Sequence, residues 1–337
     1  MAVPESARAF VADLISRVRQ SQNRWRIVFP EGNDERVVAA AGRLVRENVG
    51  QPLLVGKAPV NAPEGVQFFD PASSPLTRNY VSLYRERRRA KGITEFEAQE
   101  AVRKPEFFAA LMVAAGDADG TVGGAVLSSR EVLKAALQCI GPAKGTRLVS
   151  SVFVMAMPDP GAGHKGLMAF ADGSVVIDPS ATELAEIAIA TAESTRTLIG
   201  AEPVVALLSF STKGSGKHRQ VDKVSEALRI VKARVPELNI DGELQADAAL
   251  VPEVAKLKAL GSTVAGRANT LIFPDLNSAN IGYKLVERLA GASAMGPFLQ
   301  GLAKPANDLS RGCSSDDVFH TAVVTCLQCQ QALSQRP

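Results

Sequence analysis

The sequence predicts an α/β protein of two α/β domains with a cleft between them. Three observations carry this. In the first third, short apolar runs alternate with longer stretches of helical periodicity, a β–α–β rhythm that favours a parallel sheet flanked by helices. The 337 residues suit about two domains at roughly 150 residues each. In the middle the rhythm changes: two apolar runs follow one another directly and point to an antiparallel pair.

Taken in order, Met1 to Gln22 has the spacing of an amphipathic helix; Asp13 falls inside it and no apolar signal-peptide core is present. Arg26–Phe29 is a strand, stopped by Pro30-Glu31-Gly32. Asn33 to Glu47 follows as a helix with Val37, Ala41, Leu44 and Val45 at helical spacing, and Pro52–Val55 is a second strand closed by Gly56. Leu148–Met157 is a strand, and Gly166–Ile177 holds another with a turn at Asp172-Gly173. Ser180-x-x-Glu183 reads as a capping box opening a helix to about Ile199. Val204–Phe210 is a buried strand, Lys217–Arg234 a helix, Ala268–Phe273 a strand and Asn280–Leu289 a helix. Domain edges are expected near Lys144-Gly145 and Gly296-Pro297, giving a first domain of 1–145 plus 297–337 and a second, dimerising domain of 146–296.

With 38 basic and 35 acidic residues and aromatics at only 5%, neither charge nor stacking surface points to nucleic acid. No run approaches the roughly 18 apolar residues of a membrane span, so a soluble, cytoplasmic protein is expected. Cys326-x-x-Cys329 lies in a helical pattern, with Ala322, Cys326, Cys329 and Leu333 on one face, and reads as core packing. His164, His218 and His320 are far apart, and no metal site is expected.

Two glycine-rich loops imitate nucleotide motifs. Gly161-Ala-Gly-His-Lys-Gly166 fits G-x-G-x-x-G, but a strand follows it where the dinucleotide fingerprint needs a helix, which leaves a hairpin loop. Lys213–Lys217 resembles a P-loop but has Ser211 and His218 at two defining positions. The hydroxyls around it, Thr212 and Ser215 among them, suit either an anion site or a surface turn.

The chemistry concentrates in Ser310-Arg311-Gly312-Cys313-Ser314-Ser315-Asp316-Asp317. Ser310 and Arg311 put a hydroxyl beside a planar guanidinium that matches two phosphate oxygens. Asp317 follows at the start of a helix, where Ser314-x-x-Asp317 also fits a capping box. By spacing alone it is a base or a cap. Arg85 to Lys91 carries five positive charges within seven residues on a predicted helix, either a solvated face or a handle for a polyphosphate.

With Pro30–Arg36, Lys91–Thr94, Ala118–Gly120, Ser150–Phe153, Leu208–Gly214, Phe273–Ser278, Asn280–Lys284 and above all Gly296–Cys313 (GPFLQGLAKPANDLSRGC), the chain resembles the phosphotransacetylases (phosphate acetyltransferases) over nearly its whole length. The resemblance implies a fold similar to the isocitrate and isopropylmalate dehydrogenases, a homodimer, and reversible transfer of acetyl from acetyl-CoA to phosphate, giving acetyl phosphate and CoA, with coenzyme A as substrate and no cofactor. It assigns catalysis to Ser310, Arg311 and Asp317 and CoA binding to Arg88. Where the family has a second arginine this chain has Lys134, and Arg130 stands nearby to supply a guanidinium. The expected mechanism is direct attack by the CoA thiolate in a ternary complex, with Asp317 as base. Relayed acetylation of Cys313 is the rival. The competing functions are a phosphate butyryl- or propionyltransferase and a non-catalytic ligand-sensing domain of the same fold.

Overall fold

The computed structural model describes residues 3–21 and 23–334. Met1, Ala2 and Gln22, which the sequence assigned to the N-terminal helix, lie outside the described residues. The elements run α1 (Glu5–Gln20), β1 (Arg26–Phe29), α2 (Glu35–Arg46), β2 (Gln51–Val55), β3 (Gln67–Phe69), α3 (Thr77–Arg87), α4 (Glu95–Val102), α5 (Pro105–Ala115), β4 (Gly120–Gly123) and α6 (Ser129–Ala135). A π-helical turn, Ala136–Ile140, extends α6. There follow β5 (Ser150–Ala156), β6 (Leu167–Ala171), α7 (Ala181–Ser194), β7 (Val205–Leu208), α8 (Arg219–Arg234), β8 (Ile240–Leu244), α9 (Ala246–Leu250), α10 (Pro252–Lys258), β9 (Thr270–Ile272), α11 (Leu276–Ala290), β10 (Ser293–Gln300), β11 (Ala306–Asp308) and α12 (Ser315–Ser334). Among the described residues no helix is long and apolar enough to cross a membrane.

The chain divides into two units, Met1–Ala12 with Gly145–Gly301, and Asp13–Lys144 with Leu302–Pro337. The second edge therefore comes after β10, which continues through Gly296-Pro297, where the sequence reading put the boundary.

The unit built on Asp13–Lys144 holds a five-stranded sheet in the order β11-β4-β1-β2-β3, parallel at every pairing. Ile27, Val28 and Phe29 are fully buried, as a strand covered on both faces requires. α2 opens on the Asp34 cap, whose carboxylate accepts from the Arg36 amide at 2.9 Å, and buries Val37, Ala40, Ala41 and Leu44. α12 is pinned to α2 by Arg43, which lies 3.8 Å over the Phe319 ring and donates to Asp316 at 2.8 Å. Cys326 and Cys329 of α12 are buried as expected, whereas Leu333, near the end of the helix, is 45% exposed. The chain leaves β1 toward β2 and β3 on one side, while β4 and β11 fill the other, so the switch point lies between the carboxyl ends of β1 and β4. Open parallel sheets bind ligands at such points.

The other unit has a six-stranded sheet, β10-β5-β6-β9-β7-β8. β5 and β6 form the expected antiparallel pair, and β10 adds an antiparallel edge. The Gly161–Gly166 loop is the turn between β5 and β6, with His164 N donating to Leu167 O at 2.9 Å. The capping box at Ser180 and Glu183 opens α7.

Candidate active site

Three loops meet at the carboxyl edge of the parallel sheet. They are 30–34 after β1, 124–128 after β4 and 309–314 after β11. Glu31, 9% exposed, reaches from the first to the second. Its Oε1 accepts from Val126 N at 2.8 Å and Leu127 N at 2.7 Å, its Oε2 from Ala125 N at 3.0 Å, and both oxygens share Gly124 N at 3.1 Å. An internal carboxylate thus fixes the turn that leads into α6. Arg36 ties in the third loop: its Nη1 donates to the carbonyls of Arg311 and Cys313, each at 2.9 Å, and its Nη2 donates to Ala125 O at 2.7 Å and Asp34 Oδ2 at 2.9 Å. This guanidinium is committed to protein carbonyls and has no fork left for a ligand.

Arg311 is the opposite case. Its carbonyl is held by Arg36, but its exposed guanidinium has no hydrogen-bond partner among the described residues. Its charge acts on Glu131 of α6, a carboxyl held below the usual range first by the Ser128 hydroxyl and amide and then by Lys104 and Arg311. Ser310 is exposed, and its Oγ accepts from Gly312 N at 3.3 Å, leaving the hydroxyl proton free to donate.

Asp317 proves to be a cap. Its Oδ2 accepts from Ser314 N and Ser314 Oγ, both at 2.8 Å, and its amide donates to Ser314 Oγ at 3.2 Å. One oxygen closes the helix, and the other, Oδ1, has no partner among the described residues. Cys313 is buried, with its sulfur 3.9 Å from Arg36 Nη1. Burial pushes its thiol above the ordinary value despite Arg36, which disfavours the thiolate a relay would need.

Arg130 and Lys134 are exposed one turn apart on α6, and Leu137 continues the same face. At the far end of that helix α3 comes in: Arg87 Nη1 donates to Ile140 O at 3.2 Å, and Tyr84 Oη donates to Gln138 Oε1 at 2.6 Å. Arg88 is half-buried, its charge acts on the Tyr84 hydroxyl, and its Nε is buried without a partner among the described residues. The basic cluster does not ride on one helix as the sequence suggested. α3 ends at Arg87, and Arg89–Lys91 form a single tight turn closed by Gly92 at φ 64°. From Arg130 to Ile140, at about 1.5 Å per residue, the α6 face runs about 15 Å. It begins beside the Ser310 loop and ends at Arg88.

Thr212 and Ser215 belong to the other unit, in the loop after β7. There the donors already have an anion. Glu243 Oε1 accepts from Gly214 N at 2.6 Å and Ser211 Oγ at 3.0 Å, and Oε2 accepts from Ser225 Oγ at 3.2 Å. Burial opposes that charge, but these donors outweigh it and hold the carboxyl below the usual range. Lys213 pairs with Asp241. Thr212 N donates to Ser215 Oγ at 3.0 Å, and Thr212 Oγ1 donates to Gln245 Oε1 at 3.3 Å. Among the described residues no group of three or more His, Cys, Asp or Glu side chains is arranged to hold a metal ion.

The sequence reading gave no role to Glu31 or Arg36. A signal was present: charged residues directly after the apolar strand Arg26–Phe29 fall at the carboxyl edge of a parallel sheet, where loops carry function.

The family described as "Phosphate acetyl/butaryl transferase" matches residues 9–326 of this chain. The chain is 44% identical over 329 residues to a phosphate acetyltransferase of Acetivibrio thermocellus, covering 96% of this chain and 98% of that one. It is 46% identical over 319 residues to a phosphate acetyltransferase of Thermoanaerobacterium thermosaccharolyticum, covering 93% and 97%. The fold is similar to that of a phosphotransacetylase from Streptococcus pyogenes, with a TM-score of 0.91 at 41% identity over 98% of this chain and 100% of that one.

Proposed function

We propose that this chain, which belongs to the phosphate acetyl/butaryl transferase family, moves an acetyl group between coenzyme A and inorganic phosphate in either direction. The observation that carries the reading is the contrast at the sheet edge. Arg36 is spent on holding the loop, while Arg311, the Ser310 hydroxyl and Asp317 Oδ1 stay free on that same loop and the helix turn after it.

In the direction of acetyl-CoA synthesis, the Arg311 fork binds the phosphoryl oxygens of acetyl phosphate. Ser310 donates to a phosphoryl oxygen or to the acetyl carbonyl. The CoA thiol, with an ordinary pKa of about 8.5, is mostly protonated at neutral pH, and Asp317 Oδ1 takes its proton. The thiolate attacks the carbonyl and phosphate leaves in one ternary complex. Negative charge that develops on the carbonyl oxygen and the leaving phosphate meets donors already in position. The buried, raised thiol of Cys313 favours this direct route over an acetyl-enzyme.

The diphosphate and ribose phosphate of CoA suit the α6 face, with Arg130 and Lys134 along it and Arg88 at its end. Lys134 carries the charge expected there without a bidentate fork. CoA acts as substrate, and no cofactor enters the scheme.

The proposed assembly is a cytoplasmic homodimer formed through the 145–301 unit. Ile281, Leu285 and Leu289, at 57%, 51% and 81% exposure, form an apolar stripe at four-residue spacing on α11, next to the edge strand β10. Leu285→Glu should convert a dimer to a monomer in sedimentation; a wild-type chain that sediments as a monomer removes the dimer. The function itself is tested by phosphate-dependent consumption of acetyl-CoA, with propionyl- and butyryl-CoA alongside. The expected result is acetyl phosphate formation fastest from acetyl-CoA. Loss of acetyl-CoA that does not depend on phosphate contradicts the reading.

A further inference from the structure

α6 and its π-helical extension carry Arg130, Lys134 and Gln138 at four-residue spacing. Residues four apart share one side of a helix, so Gln138 stands on the basic face, one turn past Lys134. It falls inside the π-helical turn Ala136–Ile140, where Gly141 N donates to Ala136 O at 3.0 Å. Such turns are frequent at functional sites. This one meets α3. Tyr84 of α3 is 6% exposed, with its ring edge-on to Phe107 at a centroid distance of 5.5 Å. Arg88 caps the same helix four residues on, its amide donating to Tyr84 O at 2.9 Å, and so shares the side that Tyr84 occupies.

Tyr84 and Gln138 are joined by one short hydrogen bond, Tyr84 Oη to Gln138 Oε1 at 2.6 Å. Its direction follows from what surrounds the phenol. The charge of Arg88 acts on the Tyr84 hydroxyl, so the oxygen lone pairs favour the guanidinium and the single proton is left for an acceptor. Burial is the largest effect on that hydroxyl and keeps the proton on it. The carboxamide therefore turns its oxygen to Tyr84 and its NH₂ away. The NH₂ has no partner among the described residues. Arg88 Nε is likewise without a partner among them, and it is buried. Buried donors are seldom left unpaired. Two donors on either neighbour of one tyrosine thus await an acceptor, at the end of the face that begins beside the Ser310 loop.

We infer that Gln138 is a further CoA-binding residue, held by Tyr84 so that its NH₂ donates to the phosphate group that Arg88 takes. The inference rests on the reading that CoA lies along the α6 face. An ionised phosphate presents acceptor oxygens to both side chains at once. Arg88 supplies the charge, and Gln138 supplies a directed donor with none. Tyr84 does not touch the ligand and is a positioning residue. A plain tie between α3 and the π-helical turn would need only the Gln138 oxygen, whereas the CoA contact needs the NH₂ as well.

The test is the Kd for CoA, by calorimetry, in the wild type, Gln138→Leu, Gln138→Glu and Tyr84→Phe, with the KM for acetyl phosphate on the same preparations. Gln138→Leu should weaken CoA by about tenfold, as loss of one hydrogen bond to a charged acceptor does, and leave the KM for acetyl phosphate within about twofold. Tyr84→Phe keeps the ring against Phe107 but frees the carboxamide to rotate, and should weaken CoA by about threefold. Gln138→Glu separates the two roles. It keeps the acceptor for Tyr84, and with it the tie, but sets a carboxylate against the phosphate. CoA should weaken by at least about thirtyfold. An affinity for CoA within about twofold of wild type in Gln138→Glu or Gln138→Leu overturns the inference, and so does an equal loss for CoA and acetyl phosphate. If Gln138→Leu does not fold, Gln138→Glu decides. The Kd is read without turnover, so a wild type that binds CoA and forms no thioester overturns the acetyl-transfer reading alone, and the same affinities still judge Gln138.

Discussion

Replacing Glu31 by glutamine changes one atom and removes a charge from the switch point of the parallel sheet. The carboxylate, 9% exposed, serves the amides of Gly124, Ala125, Val126 and Leu127. If the glutamine keeps its oxygen at the Oε1 position, Val126 and Leu127 retain their partner but lose its charge. Its NH₂ then faces the Ala125 N–H. Hydrogen bonds to charged groups contribute about 1.5–3 kcal/mol against about 0.5–1.5 for neutral ones, and an orphaned buried donor costs about 1–3 kcal/mol. Three weakened bonds and one orphan amount to about 3–5 kcal/mol. In a unit of this size each kcal/mol moves Tm by about 2–4 °C, so a fall of about 10 °C is expected for the 13–144/302–337 unit. The turn also carries Ser128 and Ser129 into α6, and a shift of about 1 Å there should lower turnover by about 10²-fold. Thermal unfolding by circular dichroism, with kcat on the same preparation, measures both. A Tm within about 2 °C of wild type would refute the claim that this carboxylate organises the loop.

Three further outcomes follow from the same geometry. Arg36→Lys keeps the charge but cannot bridge the Arg311 and Cys313 carbonyls; kcat should fall by about 10²-fold through misplacement of Arg311, and an unchanged kcat would count against the clamp. Arg88→Ala should raise the KM for CoA by about tenfold, as loss of roughly 1.4 kcal/mol of binding does, while the KM for acetyl phosphate stays put; equal effects on both would remove Arg88 from the CoA track. Cys326→Ser places a hydroxyl in a fully buried site and should destabilise by about 1–3 kcal/mol, read from denaturant unfolding, without touching KM.

Much of the fold was legible because its periodicity was plain. Arg26–Phe29 has no polar residue after its first and is buried on both faces, so its boundaries could be read to the residue. β8 was not legible. Ile240–Leu244 is buried throughout yet contains Asp241 and Glu243, whose charges are met by Lys213, Ser262, Ser211 and Ser225 from distant parts of the chain. Such satisfaction is tertiary and leaves no local pattern. β3 and β11, three residues each, carry too few positions for a period to show. At the site, spacing could propose that Asp317 is a cap or a base; the structure shows the cap, with Oδ2 on Ser314 and Oδ1 without a partner among the described residues. The roles of Arg36 and Arg311 could not be ranked from sequence, since both are arginines in polar loops. What separates them is a set of hydrogen bonds spanning 275 and 277 residues of chain.

The central claim is that acetyl transfer proceeds with Asp317 Oδ1 as the proton acceptor for the thiol. Its most direct test is thioester formation from acetyl phosphate and CoA by Asp317→Asn, with CoA affinity measured on the same protein. Asparagine can keep its oxygen toward Ser314 and so preserve the cap, while the open position loses its basicity. The account expects turnover to fall by about 10²–10⁴-fold with the Kd for CoA within about threefold of wild type. Turnover near the wild-type rate would contradict it.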